Sequence, residues 1–385
     1  GMDRLAFRQM NALQNNVPTV TGQCFETGVG IADCLAALQP AWDAAVARVE
    51  QFNNEAEKTG SVFRKGVGVA SCWYGCGNTS LPNPSTMRMG LRADGVCVLH
   101  QGAMDIGQGA NTVIAQIAAD ALGVPVHSLS LLDGDTDLTP DCGKTSASRQ
   151  TFVSGKAALL AGRALRETIL RHANVSDDAS IIMEKQRLQL VDAATGNMVT
   201  IDLSSLPVDD YDYVFMSEET YDPPTTPLDE NGQGSPYAVF GYGAQMIELT
   251  VDRGLGQVRL DKMTTAHDVG RAINPLLVEG QIEGGAAQGI GLALMEDFSP
   301  GRTENLHDYL IPTIGDVPRF EHIIVEVADA EGPYGAKGLG EHVLIPTAPA
   351  IVNAIRHATG VLITHLPATA DKIRAALQAQ ETDHG

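Results

Sequence analysis

Basic side chains are scarce in this sequence. Lysine and arginine number 26 against 47 aspartates and glutamates over 385 residues, for a formal charge of −21. Such a field repels phosphate backbones and argues against nucleic acid as a partner. No run approaches the roughly 18 consecutive apolar residues that a membrane helix needs. No basic segment followed by an apolar stretch gives the N-terminus the look of a secretory signal. The opening Gly1-Met2 fits either a tag remnant ahead of a start methionine or a chain that begins mid-protein. The six cysteines, Cys24, Cys34, Cys72, Cys76, Cys97 and Cys142, include no CxxC pair. Cys72 and Cys76 stand close in sequence but lack the further Cys or His of a zinc or iron–sulfur site. Free thiols and a cytoplasmic setting are the expectation.

Several nucleotide and hydrolase signatures are missing too. Gly143-Lys144-Thr145 ends like a phosphate-binding loop, but the earlier glycine it requires falls at Leu138. Gly66-x-Gly68 is followed by Ser71 where a dinucleotide fingerprint wants glycine. Neither a GxSxG elbow nor an HExxH pair occurs. A P-loop kinase, a nicotinamide dehydrogenase of Rossmann type and a serine hydrolase are thereby excluded.

What is present is 44% hydrophobic and rich in glycine, with 40 of them, as in a loop-rich globular chain of two or three lobes. Residues 3–58 read as helical, with Trp42, Ala45, Val46, Val49 and Phe52 at helical spacing behind Pro40 and Gly60 as a cap. Strands follow at 65–74, 86–92 and 96–102, the last two joined by the turn Ala93-Asp94-Gly95. A glycine-rich loop at 106–109, a helix at 111–122 and a strand at 126–132 complete a β-β-loop-α-β unit, and a second helix spans 151–173. Residues 205–235 read as an irregular connection. The pattern then repeats: strands at 238–251 and 256–266, the loop His267–Arg271, a helix at 275–293, a strand at 322–328 and a helix at 347–358. The expected fold class is therefore α+β, in two lobes built from repeated β-β-loop-α-β units. The expected domains are a helical linker at 1–64, a first lobe at 65–235 and a second lobe at 236–385.

Four glycine-rich or polar segments punctuate these units, at 106–112, 143–151, 284–291 and 333–341. Two readings fit them: tight turns that need positive φ, or amide nests that together hold a phosphate-rich cofactor. The sharpest feature is the ribbon Gly335-Ala336-Lys337-Gly338-Leu339-Gly340-Glu341, which sets one carboxylate before Val343-Leu344-Ile345-Pro346. Apolar walls raise a carboxyl pKa and would make Glu341 a base near neutral pH; the alternative is a glutamate that caps the next helix.

These blocks resemble the xanthine dehydrogenase/aldehyde oxidoreductase family of molybdenum hydroxylases. The resemblance covers nearly the whole chain: Asp3–Arg8 with Asn11, Gly107-Gln108-Gly109 through Pro125, Asp135 through Thr145-Ser146-Ala147-Ser148-Arg149 to Gly155, Asn274-Pro275 through Gly291, and the ribbon ending at Glu341. It implies the C-terminal half of the molybdopterin-binding large subunit, with molybdenum on a pterin dithiolene, commonly as a cytosine dinucleotide in bacteria. It implies insertion of water-derived oxygen at an aldehyde or N-heterocyclic carbon, with Glu341 as general base. Gln108 and the amides of Gly107 and Gly109 would hold the pterin and its phosphate, Ser146 would contact the cofactor, and Ala147 and Ser148 would lie near the metal, which takes no protein ligand. Gln288, Lys337 and Gly338 join the implied cofactor-binding set, and Arg149 enters it as a dinucleotide-phosphate contact, with a surface ion pair as its alternative. His267, Asp268 and Arg271 read as structural, and His342 as a support to Glu341. The family's first molybdopterin half, its iron–sulfur clusters and its flavin domain are absent from this sequence. The chain would thus need those partners, on other domains or subunits, and would be inactive alone. The rival readings are a non-catalytic assembly subunit that keeps the fold and a stand-alone nucleotide-binding protein.

Overall fold

A computed structural model describes residues 1–78 and 82–383. Its elements run α1 (Arg4–Met10), α2 (Ile31–Lys58), β1 (Phe63–Cys76), β2 (Ser85–Arg92), β3 (Cys97–Gln101), α3 (Ala110–Leu122), β4 (Leu129–Asp133), α4 (Gly155–Ala173), β5 (Ser180–Glu184), β6 (Arg187–Val191), β7 (Met198–Asp202), β8 (Tyr213–Tyr221), β9 (Val239–Asp252), β10 (Gln257–Asp268), α5 (Pro275–Leu294), β11 (Arg319–Val325), α6 (Thr347–Thr359) and α7 (Ala370–Asp383).

The two tandem units are present, and each makes a four-stranded sheet. In the first, the antiparallel pair β2–β3 is followed by the 102–109 loop, α3 and β4, which lies parallel to β3. In the second, the antiparallel pair β9–β10 is followed by the 269–274 loop, α5 and β11, parallel to β10. Each unit takes its fourth strand from outside itself: β8 joins β2, and β1 joins β9. The expected division at 64/65 therefore falls inside β1, whose partner β9 belongs to the second lobe. A small antiparallel sheet, β5–β6–β7, completes the strands.

The sheet β1-β9-β10-β11 is covered on both faces. On one, Leu35, Leu38, Trp42, Ala45 and Val49 of α2 pack on Val67, Val69, Tyr242, Ala244 and Met246. On the other, Ile351, Ala354 and Ile355 of α6 meet Ala70, Ile247 and Leu249. Gly66 and Gly68 explain themselves here: a Cβ on either would stand 2.0 or 2.2 Å from the carbonyl of Ala354 or Ala350. The α6 backbone lies directly on β1, as only glycine allows. The other large sheet buries Met87, Met89, Leu91 and Leu99 under α3 and α4.

Three local expectations fail. The linker is not one helix, because residues 11–30 are irregular between α1 and α2. Nor does Pro40 start a helix; it lies inside α2, at the loss of one backbone hydrogen bond. Burial of Ile31, Cys34, Leu35 and Leu38 in the same core as Trp42 outweighs that loss. Within 205–235 lies β8, an edge strand whose inward Tyr213, Phe215 and Ser217 alternate, masked in sequence by acidic neighbours. The strands β5–β7 and helix α7 complete what the sequence reading passed over. Asp3 ties α1 down: its carboxylate caps Leu5 and Ala6 and accepts from Trp42 Nε1 at 3.0 Å.

Burial keeps three histidines neutral. The pKa of His342 is pushed down to about 3, first by burial and then by Lys337. That of His357 falls to about 4 through burial and Arg4, and that of His267 lies well below the ordinary value for the same leading cause. Each group binds a proton more readily unfolded than folded, so their contribution is full above pH ~6.5 and lost as pH falls toward the folded values. We expect the melting temperature to drop by several degrees between pH 7 and pH ~4.5. A flat profile from scanning calorimetry over that window would refute this account.

Candidate active site

The ribbon that precedes Glu341 is clamped by two other segments. Lys337 N donates to Val269 O at 2.9 Å and Arg271 N to Gly335 O at 3.2 Å. A Cβ on Gly270 would stand 1.9 Å from Gly335 O, and one on Gly338 only 1.8 Å from Ser148 O. Glycine at these two positions is a condition of the loops lying together.

At the ribbon's end Glu341 is exposed. Tyr74 donates its hydroxyl to Glu341 Oε2 at 2.7 Å. Ser148 Oγ accepts from Glu341 N at 2.9 Å and lies 3.4 Å from Oε2. Glu341 caps no helix, since α6 begins at Thr347 behind Pro346. The apolar walls expected around it are not there: Val343 and Pro346 are buried, but they turn inward while the carboxylate faces out. This chain alone does not dehydrate Glu341. Behind it the His342 ring is fully buried, 5.2 Å between centroids from His267, which Gln245 Nε2 meets at 3.0 Å. Gly241 and Gly243 on β9 leave room for the two rings.

The 143–149 loop carries backbone strain. Ala147 and Ser148 adopt φ of 52° and 53°, two consecutive non-glycine residues in the left-handed region. That costs roughly 1–3 kcal/mol per residue and gathers where the surrounding structure imposes it, often at functional sites. Here Gly77 N holds Ala147 O at 2.7 Å, and Ser148 is held against Glu341. Thr145 Oγ1 donates to Met104 O at 2.8 Å, tying this loop to the one after β3.

In that loop the amide nest has an occupant already. Asp105 Oδ1 accepts from Gly107 N at 2.9 Å and Gly109 N at 3.2 Å, and its Oδ2 from Asn111 N at 3.1 Å. Burial opposes ionisation of Asp105, but these amides prevail and hold its carboxyl below the usual range. The amides of Gly107 and Gly109, expected from sequence to hold the pterin and its phosphate, are therefore taken by Asp105 instead. Gln108 folds back on its own loop, accepting from Ile106 N at 2.6 Å and donating to Met104 O at 3.2 Å. It retains one N–H and acceptor capacity for a ligand. A Cβ on Gly107 would meet nothing within 4 Å, so the loop's outer face is open.

Two other expected contacts are corrected. Arg149 is buried, and its guanidinium donates to the carbonyls of Cys142, Lys144, Asn83 and Pro84. It is an internal cross-link, neither a surface ion pair nor a phosphate contact. Lys337 is equally internal, its ammonium spent on Asp268 and the Gly28 carbonyl. Ser146 is exposed beside the strained pair. Gln288 is exposed on α5, on the same face as Gly284, where a Cβ would also meet open space. A cleft of about 60 Å³ brings Gln108, Thr151, Arg271, Asn274 and Gln281 together between the 102–109 loop and the start of α5. Larger cavities, of about 790 and 820 Å³, lie elsewhere and do not include Glu341.

Sequence reasoning missed Tyr74 and Asp105. Asp105 had a signal, an aspartate two residues before a glycine, which favours just this side-chain-to-amide turn. Tyr74 had none, because only the pairing of β1 with β9 brings it beneath the ribbon.

An exposed carboxylate, a strained loop and open glycine backbones thus gather on the two tandem α+β units. Residues 36–318 match the family of molybdopterin cofactor-binding domains. The chain is 35% identical over 300 residues to a putative xanthine dehydrogenase molybdenum-binding subunit of Escherichia coli strain K12, covering 74% of this chain and 38% of that one. With the aldehyde oxidoreductase of Megalodesulfovibrio gigas it shares 33% identity over 390 residues, or 98% of this chain and 39% of the relative. The solved aldehyde oxidoreductase from Desulfovibrio gigas superposes with a TM-score of 0.83 at 32% identity, over 98% of this chain and 39% of that one. The chain belongs to the molybdopterin cofactor-binding family of xanthine dehydrogenase/aldehyde oxidoreductase type. It spans about two fifths of the length of these relatives.

The 1.8 Å approach at Gly338 gives a direct test of how tightly the loops pack. Gly338→Ala should destabilise the chain by about 1–3 kcal/mol, the usual cost of overpacking. Urea unfolding would measure it, and an unchanged midpoint would mean that the ribbon can slide off Ser148.

Proposed function

We propose that this chain is the base-carrying part of a molybdenum hydroxylase that puts water-derived oxygen on an aldehyde or N-heterocyclic carbon. One observation carries the reading. Glu341 stands free at the end of a clamped ribbon, hydrogen-bonded by Tyr74 and Ser148 beside two strained residues.

The residues fit the molybdenum–pterin group that the family binds, in a form we take to be the cytosine dinucleotide. Gln108, Ser146 and Gln288, with the open outer faces of Gly107 and Gly284, would hold it; Ala147 and Ser148 would line its metal end, while Gly338, buried against Ser148, supports that loop from beneath. When bound, that group supplies a metal able to accept two electrons from the substrate and to activate oxygen drawn from water. Glu341 accepts the proton that the attacking oxygen gives up. Tyr74 and Ser148 hold Oε2, so Oε1 is the oxygen left to receive it. Electrons leave through iron–sulfur clusters, and in some assemblies a flavin, on other domains or subunits. The other half of the molybdopterin pocket closes over Glu341, so the isolated chain is inactive. The setting is the cytoplasm.

Metal and pterin analysis of the enzyme purified with its native partners comes first, and stoichiometric molybdenum with a pterin is the expected result. A complex lacking both would favour a non-catalytic assembly role. In the assembled enzyme, Glu341→Gln should lower turnover by about 100- to 10,000-fold with molybdenum content unchanged. Turnover at the native rate would remove Glu341 as the base. Gln108→Ala should lower the molybdenum content, and full retention would count against that contact.

A further inference from the structure

The linker, the end of β10 and the ribbon before Glu341 converge on one buried charge. Lys337 Nζ donates to Gly28 O at 2.6 Å and pairs with the Asp268 carboxylate, both side chains being 0% exposed. Asp268 Oδ1 in turn accepts from Gly270 N at 2.9 Å and Val327 N at 3.1 Å. The Tyr242 ring centroid lies 5.1 Å from the ammonium. Glycine lets the linker come this close, for a Cβ on Gly30 would stand 2.2 Å from Asp268 Oδ2. Every group around the ammonium is thus supplied from within the chain, and none faces the surface where Glu341 stands. The main chain of Lys337 is fixed as well, through its amide to Val269 O. Three residues separate this anchor from Glu341, and two of them are glycines that contribute no side chain to hold the ribbon.

We propose that Lys337 is a positioning residue: its ion pair with Asp268 fixes the ribbon and so the place of Glu341, and it does not touch the cofactor. The assignment rests on the reading of Glu341 as the base. A buried ion pair suits the role because removing either charge leaves the other unpaired, so the two segments cannot separate at low cost. Its hydrogen bonds are also directional, which an apolar contact in the same place would not be.

The variant of choice is Asp268→Asn with Lys337→Met, which removes both charges at nearly constant volume and so avoids an unpaired buried ion. Hydrogen exchange on the full chain would follow the amides of 337–341. They should exchange at least about tenfold faster, while those of β9 and α6 keep their native rates. In the assembled enzyme, kcat should fall at least about tenfold at unchanged KM and unchanged molybdenum content. Asp268→Asn alone should speed the same amides and provides the reading if the double variant does not fold. Unchanged exchange in the variants would overturn the proposal, and so would molybdenum lost in step with activity, which would place Lys337 on the cofactor. The Glu341→Gln control separates the two claims. If it turns over normally the base assignment fails, and the exchange rates still decide whether Lys337 holds the ribbon.

Discussion

Two opposite charges withdrawn from water cost several kcal/mol each in hydration, and their mutual attraction repays this only when the remaining hydrogen-bonding capacity is also used. Lys337 and Asp268 meet that condition, with a carbonyl, two amides and an aromatic face around them. Burial raises the Asp268 carboxyl above its ordinary range, and Lys337 with the amides pulls against that rise. Losing one partner of such a pair typically costs about 3–5 kcal/mol. The arrangement joins parts far apart in sequence: the irregular stretch before α2, the end of β10 and the ribbon before α6. The linker is thereby a part of the second lobe's interior and not a tether beside it.

Glycine does a second kind of joining. At 66 and 68 it lets α6 lie on β1, at 241 and 243 it makes room for His342 and His267, and at 338 it lets the ribbon touch the strained 143–149 loop. The fourth strand of each sheet comes from outside its own tandem unit, and β1, by pairing with β9 of the second unit, joins the two lobes. Glu341 of the second lobe meets Ser148 of the first beside that joint. The strain at Ala147 and Ser148 is tolerated where Gly77, next to β1, holds one residue and the ribbon holds the other.

Much of this was legible in the sequence. The helices α3, α5 and α6, the strands β9 and β10, and the tandem order were all placed from the sequence, and so was the ribbon ending at Glu341. What stayed hidden depended on tertiary partners. Pro40 argued for a helix start that the core around Trp42 overrode. Arg149 and Lys337, two cations in polar glycine-rich segments, looked like cofactor contacts, Arg149 to a dinucleotide phosphate. Their burial against carbonyls and Asp268 follows from loop crossings that no local pattern encodes. Gly107 and Gly109 had the right backbone for an anion, and the anion is Asp105, four residues or fewer away.

The exposure of Glu341 sets a division of labour. A carboxylate becomes a base useful near neutral pH through loss of hydration or a neighbouring negative charge. This chain leaves Glu341 exposed, although it spends two hydrogen bonds, a buried ion pair and several obligatory glycines on where the carboxylate stands. Position is encoded here, and water access to Glu341 is left to whatever covers the surface. For the hydroxylase reading, that covering consists of the cofactor on one side and the missing half of the pocket on the other. The dehydration of Glu341 then becomes a property of the assembly, while its geometry remains a property of this chain.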